Sequence, residues 1–493
     1  MPEIQPARVR IAPSPTGRFH IGNARTALYD FLLARQTGGQ FVLRIEDTDR
    51  KRFDPAAEPE IMESMRWLGL EWDEGPDVGG PYGPYRQSDR VDIYHEHAQQ
   101  LIDSGHAYYC FCSPERLAEV RKQQQKRKEP PHYDGLCRRL DPSEAEARAA
   151  DEPHVIRFKT PREGATTAVD ILRDPITVDN STIDDYVLMK SDGLPVYHLA
   201  AMVDDHLMGI THVMRGSEWL GTFPLHVLIY EAFGWEQPNW VHLSVFLNPS
   251  GKGKLSKRHG QQGANAIYLT DLREMGYLPE AVNNWMALMG WSFDDHTEYF
   301  PMDQLIHDFS LEKLKANPAA VNYGKLDHFN GLYIRDLPTD DLARRIQPYF
   351  SAAGIEADLP TLKRISPIIQ ERIRTLDEAV DMAGFFFFAE VEPDPQALVA
   401  KGLTAAQSAE AAQRAYEVID GKAPFEAEPL ETALRGLADE MGLSAGQLFT
   451  ILREAVTGQR VSPPLLETME IVGKPQVLAR IQRAIGLLQS QSA

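Results

Sequence analysis

Polar and apolar residues alternate over Arg8-Val9-Arg10-Ile11-Ala12, the period-two pattern of a half-buried strand. Two prolines and Gly17 interrupt it. From Ala24 the apolar positions fall at Ala24, Ala27, Leu28, Phe31 and Leu32, one face of a helix. A second strand is expected over Phe41 to Ile45. Strand and helix patterns keep alternating to about residue 108, which predicts the first half of a doubly wound α/β nucleotide-binding sheet. The same texture resumes from Leu194 to about Leu247, with the stretch Ile210 to Met214 and a helical run from Phe223 to Phe233. Residues 109–192 differ: they hold all the cysteines, a Gln/Lys/Arg-rich helix and short strands such as Val155 to Lys159, and they read as an insertion. Leu278 to Met289 is helical in pattern, and from about residue 336 onward the chain is almost wholly so. Stripes there include Leu434, Leu437 and Met441 before Gly442, then Ile451, Ala455 and Val456, then Leu478, Ile481 and Ile485. Residues 391–430, rich in Pro, Ala and Glu, read as surface helix and linker. The expected organisation is 1–108 with 193–260 as a catalytic α/β domain, 109–192 inserted, 261–335 a helical region, and 336–493 an all-α domain.

Composition narrows the class without naming a function. A chain of 493 residues suggests about three domains. Hydrophobic residues at 43% and charged residues at 25% are those of a soluble globular protein. The N-terminus lacks the basic, apolar and small-residue succession of a secretory signal, and the longest aromatic run, Phe385 to Phe388, is far too short to cross a bilayer, so a cytoplasmic protein with no membrane partner is expected. A net charge of −20 opposes general nucleic-acid binding, yet Arg121 to Lys128 is strongly basic, and Arg364, Arg372 and Arg374 recur further on. Local positive surfaces on an acidic body are expected, an arrangement that discourages non-specific binding.

Two segments carry phosphate chemistry. Pro13-Ser14-Pro15-Thr16-Gly17-Arg18-Phe19-His20-Ile21-Gly22-Asn23 runs from strand through loop into helix, which puts His20 and Gly22 at a helix N-terminus. Free N–H groups and the helix dipole favour an anion there, glycine admits a flat group, and His20 can donate to a phosphate oxygen. Lys254-Leu255-Ser256-Lys257-Arg258 is dense in cationic donors and follows the Gly-rich Asn248 to Gly253. Such lysines can follow charge onto a leaving group. Taken singly, the first is also compatible with an ordinary strand-to-helix turn, the second with a solvated basic loop.

Together they resemble the HIGH and KMSKS signatures of class I aminoacyl-tRNA synthetases. The linking text is similar to the bacterial-type glutamyl branch: Arg10 to Gly17, Leu43 to Asp49, Gly75 to Gly80, Tyr85 to Ser88, Tyr197 to Ala200, Val203 to His206, Arg215 to Glu218, Ala455 to Gln459 and Val461 to Pro464. The resemblance spans essentially the whole chain. It implies a Rossmann-like catalytic domain, an inserted domain that grips the tRNA acceptor end, and a helical anticodon-binding domain. It implies ATP with Mg²⁺, L-glutamate and tRNA-Glu as partners, and a monomer. His20, Lys254 and Lys257 become the expected transition-state stabilisers. Thr16, Gly22, Asn23, Glu218, Ser256 and Arg258 join them around ATP. Arg10 is expected on the glutamate side-chain carboxylate, Arg215 on the α-carboxylate and Glu46 on the ammonium, with Ala12, Ser14 and Tyr197 completing the pocket. Asp47, Asp204 and Asp205 either orient the terminal ribose or serve as caps and ion pairs. Two positions depart from the pattern: Ala201 stands where some relatives have a contacting Asn, and Asn23 where the signature has His.

Cys110, Cys112 and Cys137 are unsuited to disulfides in a cytosolic chain and suit Zn²⁺. The His of a Cys-x-His pair is replaced by Arg139, so the fourth ligand is Tyr133, as in some relatives, His132 or water. The zinc would be structural; a vestigial cluster without metal is the alternative. Arg372, near the start of the helical domain, is the candidate anticodon gate. Charging of tRNA-Gln as well as tRNA-Glu is the second functional reading. A non-catalytic tRNA-binding paralogue and a small cofactor adenylyltransferase fit less: the phosphate motifs are intact, and the long helical C-terminal part has no place in the second.

Overall fold

The computed structural model describes residues 5–255 and 266–492. Ser256, Lys257 and Arg258 therefore lie outside the described residues. Two compact units are present: Met1–Asp271 with Val282–Tyr323, and Leu272–Ala281 with Gly324–Ala493.

The first unit runs β1 (Arg8–Ile11), α1 (Ile21–Thr37), β2 (Gln40–Leu43), α2 (Ala57–Trp67), α3 (Val91–Asp103), β3 (Ala107–Cys110), α4 (Pro114–Lys126), α5 (Pro142–Ala149), β4 (Val155–Phe158), β5 (Ala165–Ala168), β6 (Ile176–Asp179), β7 (Val187–Met189), α6 (Tyr197–Leu207), β8 (His212–Gly216), α7 (Phe223–Phe233) and β9 (Asn239–Leu243). β1 pairs with β2 in parallel, Arg10 opposite Val42, and β8 with β9 in parallel, Arg215 opposite His242. The Thr211 N–H donates to the Arg8 carbonyl at 2.8 Å, which sets β8 along the other side of β1. β1 is thus the point from which successive strands go to opposite sides, where an open α/β sheet leaves a crevice at the carboxyl ends of its strands. β1, β2, β8 and β9 are buried along most of their length, and α1 carries buried Ala24, Ala27, Leu28, Phe31 and Leu32, the predicted face. The 109–192 segment builds an antiparallel β3–β4–β7 sheet with a β5–β6 ladder beside it in sequence, and β3 begins it at Ala107.

The second unit is helical, as expected, but its limits are not. Among the described residues no separate body forms over 261–335: 282–323 belongs to the first unit, whereas 272–281 joins the second. The reason is local bonding, since the Leu278 N–H donates to Asn330 Oδ1 at 2.7 Å and the Leu376 N–H to the Gly276 carbonyl at 2.9 Å. Residues 391–430 also differ from the surface-linker expectation. Ala405–Asp420 is a core helix packed on Lys474–Ser492, with Ala411, Ala412, Ala415 and Ile419 sealed from solvent. The alanines that read as low-hydrophobicity filler are small enough to let two helix backbones approach. None of the described helices is long and apolar enough to cross a membrane.

Candidate active site

A cavity of about 890 Å³ opens at the carboxyl ends of β1 and β8. Its walls include Arg10, Ala12, Ser14, Asn23, Glu46, Tyr197, Arg215 and Glu218, eight residues that the sequence nominated from segments up to two hundred positions apart. Thr48 to Arg52, Lys190 to Asp192 and Trp219 line it too, and the sequence reading had passed over them as site residues. The Arg50-Lys51-Arg52 run is a visible signal: three cations directly after a matched motif. The Trp219 ring lies 3.9 Å from that of Tyr197 in a stacked pair, and so helps hold the pocket tyrosine.

Beneath the cavity lies a buried ion network. Arg10 Nε and Nη2 donate to Asp205 Oδ1 and Oδ2 at 2.8 and 3.2 Å, and Nη1 donates to the Met214 carbonyl at 3.2 Å. Three of the five guanidinium N–H groups are thereby used, and the remaining donors sit on the terminal nitrogens. Arg44 Nη1 also donates to Asp205, at 2.8 Å, and its Nη2 to Glu46 Oε1 at 3.2 Å. Burial alone would raise the Asp205 carboxyl, but Arg10 and Arg44 outweigh it and hold it below the usual carboxylate range. Asp204 accepts from Arg90 Nε at 2.7 Å, Tyr94 Oη at 2.8 Å and Gln87 Nε2 at 2.9 Å. Both aspartates are fully buried, so the structure decides for the ion-pair reading of Asp204 and Asp205 and against ribose contact. Asp47 likewise caps a loop, accepting the Ser88 N–H at 2.8 Å. Glu46 is different: burial pushes its carboxyl up to about 7 against the pull of Arg44 and Arg10. Ala201 is buried in the hydrophobic core and is absent from the cavity wall.

Arg215 has an environment unlike that of either other arginine. Its Nε donates to His242 Nε2 at 2.9 Å, its Nη2 to His226 Nδ1 at 2.9 Å and its Nη1 to Tyr197 Oη at 3.3 Å. It forms no ion pair with a carboxylate among the described residues. Burial raises the Tyr197 phenol, on which the charges of Arg215, Glu46 and Arg10 all act. Two cations and one carboxylate therefore surround a single hydroxyl.

At the other motif the structure corrects one expectation. His20 is the N-cap of α1, and its Nδ1 accepts the Gly22 N–H at 2.9 Å. The Ile21 N–H goes to the Ile267 carbonyl, and those of Asn23 and Ala24 to the His20 carbonyl. The first turn is thus already satisfied and offers no free N–H nest for an anion. A Cβ on Gly22 would lie 3.2 Å from His20 Nδ1, tighter than ordinary contact, so glycine also suits the His20 cap. Because Nδ1 accepts, the neutral ring carries its proton on Nε2, which makes that nitrogen the donor. Thr16, His20 and Gly22 lie outside the cavity wall. Ile267 and Tyr268 bridge to Ile21 and His20, so the chain beyond the Lys254 motif is tied to the first signature. Lys254 is exposed and lies 3.9 Å from Glu218 Oε1, linking that motif to the cavity wall. A Cβ on Gly216 would meet the Glu218 carboxylate at 2.1 Å, so glycine there leaves Glu218 its place.

The Cys110, Cys112 and Cys137 sulfurs all lie within 4.8 Å of one another. Tyr133 Oη is 3.4 Å from Cys110 Sγ and 3.5 Å from Cys112 Sγ. Tetrahedral zinc with Zn–S bonds of about 2.3 Å spaces its sulfurs about 3.8 Å apart, so the donor set fits. Arg116 Nη1 lies 3.4 Å from Cys112 Sγ, and the Arg157 guanidinium lies 4.2 Å from the centre of the Tyr133 ring. Burial is outweighed by hydrogen bonding from Tyr133 and Arg157, which holds the Cys110 thiol below its usual range, whereas burial and the neighbouring sulfurs push that of Cys112 up to about 11. His132 is exposed, its Nδ1 is engaged with Pro130 and Gln124, and its ligand atoms are not in the group that the three sulfurs form.

In the second unit, exposed Arg372 follows helix Leu359–Ile369, and its charge is felt by Arg453. Arg453 Nη1 in turn donates to the Pro463 carbonyl at 2.9 Å, in the Val461 to Pro464 stretch matched from sequence.

The profile described as tRNA synthetases class I (E and Q), catalytic domain, matches residues 6–328, and the anticodon binding domain profile matches 341–485. The chain belongs to the class I tRNA synthetases of the glutamate and glutamine group. Relatives of this synthetase include the glutamate–tRNA ligase of Dehalococcoides mccartyi, 46% identical over 486 residues with 98% of each chain covered. That of Roseiflexus sp. is 45% identical over 509 residues, covering 100% of this chain and 99% of the relative. The crystal structure of a glutamate tRNA ligase from Elizabethkingia meningosepticum, in complex with its amino acid, matches with a TM-score of 0.89 and 37% identity, covering 98% of this chain and 99% of that one. The synthetase fold expected from the sequence, an α/β catalytic domain followed by a helical anticodon domain, is therefore the one present.

Proposed function

We propose that this synthetase is a glutamate–tRNA ligase: it joins L-glutamate and ATP to glutamyl-adenylate and pyrophosphate, then passes the glutamyl group to the 3′-terminal adenosine of tRNA-Glu. The observation that carries this is the pairing, in one cavity, of a guanidinium with no acidic partner among the described residues (Arg215) and a buried carboxylate (Glu46) around Tyr197. An amino acid with two carboxylates and one ammonium complements that charge pattern. Arg215 takes one carboxylate, the remaining donors of Arg10 the other, and Glu46 the ammonium; Ala12 and Ser14 shape the wall.

The α-carboxylate is ionised at neutral pH, so no base is needed. Its oxygen forms a bond to the α-phosphorus as the bond from that phosphorus to the β-bridging oxygen breaks, and the electron pair leaves on pyrophosphate. Positioning and charge neutralisation supply the acceleration. His20, through Nε2–H, and the lysines Lys254 and Lys257 are the donors for that charge, with Mg²⁺ arriving on the triphosphate. Thr16, Asn23, Glu218, Ser256 and Arg258 belong to the ATP end. A ribose hydroxyl oxygen of the tRNA, gripped at the acceptor end by the inserted domain and at the anticodon by the helical one, then bonds to the acyl carbon as the bond from that carbon to the adenylate phosphate oxygen breaks; AMP leaves with the electron pair and the hydroxyl proton passes to its phosphate. Cys110, Cys112, Cys137 and Tyr133 would hold a structural zinc that cross-links β3 to the loop after α4. The enzyme acts as a cytoplasmic monomer.

Aminoacylation with radiolabelled glutamate, offered tRNA-Glu and tRNA-Gln transcripts separately, tests this reading. Charging of tRNA-Glu alone is expected, with Arg372→Gln relaxing the choice. Charging of both by the wild type would make it a non-discriminating enzyme, and charging of neither would overturn the proposal.

A further inference from the structure

We propose that His226 and His242 are positioning residues that hold the Arg215 guanidinium in the cavity without neutralising it, so that the anion Arg215 pairs with is the substrate carboxylate. The inference rests on the glutamate–tRNA ligase reading and deepens it. It begins from a contrast between arginines. Arg10 is tied to Asp205, and Arg44 to Asp205 and Glu46; Arg215 is held with the same number of hydrogen bonds, but by two imidazoles and a phenol. A guanidinium only donates, so both facing imidazole nitrogens are lone-pair acceptors. This fixes the tautomers of both rings. The His242 proton is on Nδ1, where it donates to Asp170 Oδ2 at 2.7 Å, and the Asp170 carboxylate also accepts the His242 backbone N–H at 2.9 Å. The His226 proton is on Nε2 and donates to His198 Nδ1 at 2.9 Å. His226 and His242 are fully buried, and burial together with the Arg215 charge keeps them neutral, His242 being pushed down to about 4. Asp170, the anion at the end of this hydrogen-bond chain, is thus one imidazole away from Arg215. A carboxylate in place of either ring would give the arginine an internal partner, as Asp205 does for Arg10. The neutral cradle supplies aim alone, and leaves the charge to be satisfied by ligand.

The test is glutamate-dependent pyrophosphate exchange with tRNA present, read as separate KM values for glutamate and ATP. His226→Asn keeps an acceptor oxygen where Nδ1 stands; His226→Asp has the same shape and adds the charge. The Asn variant is expected to keep its glutamate KM within about fivefold of wild type, whereas the Asp variant raises it about thirtyfold or more, with the ATP KM unmoved in both. Equal glutamate KM values for the two would overturn the proposal, as would parallel rises for glutamate and ATP. His242→Gln, with Oε1 at the Nε2 position, and His242→Met, with no acceptor, repeat the comparison should the first pair not fold; the expected ratio in glutamate KM is about tenfold, and a ratio near one would refute it. A wild-type enzyme with no glutamate-dependent exchange would instead sink the ligase reading and this inference with it.

Discussion

Replacing Glu46 with glutamine should stabilise the free enzyme while impairing it, and the two effects should share one pH dependence. Glu46 is 7% exposed, and burial raises its carboxyl from 4.5 to about 7. A carboxyl raised in the folded state binds its proton more tightly there than in the unfolded chain. Folding is therefore unpenalised below about pH 4.5, loses stability as pH rises, and carries the full cost above about pH 7. At about 1.4 kcal/mol for each tenfold change in proton affinity, that cost is about 3 kcal/mol. Glu46→Gln removes the titration, and its amide oxygen can still accept from Arg44. The melting temperature of the variant should thus rise relative to wild type as pH goes from 5 to 8, by roughly 5 °C at the top of the range. Glutamate binding should move the other way. An ionised Glu46 is the partner of the substrate ammonium, so the wild-type glutamate KM should fall about tenfold per pH unit up to about 7 and then level. The variant should lose that slope and bind glutamate about tenfold to a hundredfold more weakly at pH 8. Paired melting curves and pyrophosphate exchange across pH 5.5–8.5 measure both. A melting difference that is independent of pH, or a variant that keeps the wild-type KM slope, would refute the assignment of the buried charge to Glu46.

Three further outcomes are expected. Asp205→Asn leaves Arg10 and Arg44 without their shared buried counter-ion and should cost about 3–5 kcal/mol, seen as a large drop in melting temperature or loss of soluble protein; a drop of a degree or two would contradict the network. Purified protein should contain about one zinc per chain by elemental analysis, and Cys112→Ser should lose it while glutamate-dependent pyrophosphate exchange persists; metal-free wild type would favour the vestigial cluster. Ala411→Leu, at the seam between Ala405–Asp420 and Lys474–Ser492, should overpack that helix pair and destabilise the helical unit by about 1–3 kcal/mol in denaturant unfolding, with glutamate activation retained; an unchanged unfolding midpoint would mean that the seam has room.

Much of the molecule was legible in the chain because the relevant physics is local. The alternation at Arg8 to Ala12, the 3.6-residue spacing from Ala24 and the apolar run from Phe223 appear as β1, α1 and α7, since periodicity alone decides which face a residue presents. The phosphate and glutamate motifs were found as residue types at fixed spacing, and eight of those residues share one cavity wall. What sequence could not assign was partnership. Asp204 and Asp205 read equally as ribose ligands or ion pairs until folding placed Arg10, Arg44 and Arg90 against them from strands and helices far away in the chain. That the His20 ring would accept the Gly22 N–H was likewise decided only by the fold. Arg215 and Arg10 are the same residue type on adjacent strands, yet one is charge-compensated and the other is not. That difference comes from His226, His242 and Asp170, which no local pattern connects to Arg215. Local spacing determines which chemical groups the protein has and which way they face; long-range burial and pairing decide which of their charges are spent on the fold and which are left for a substrate.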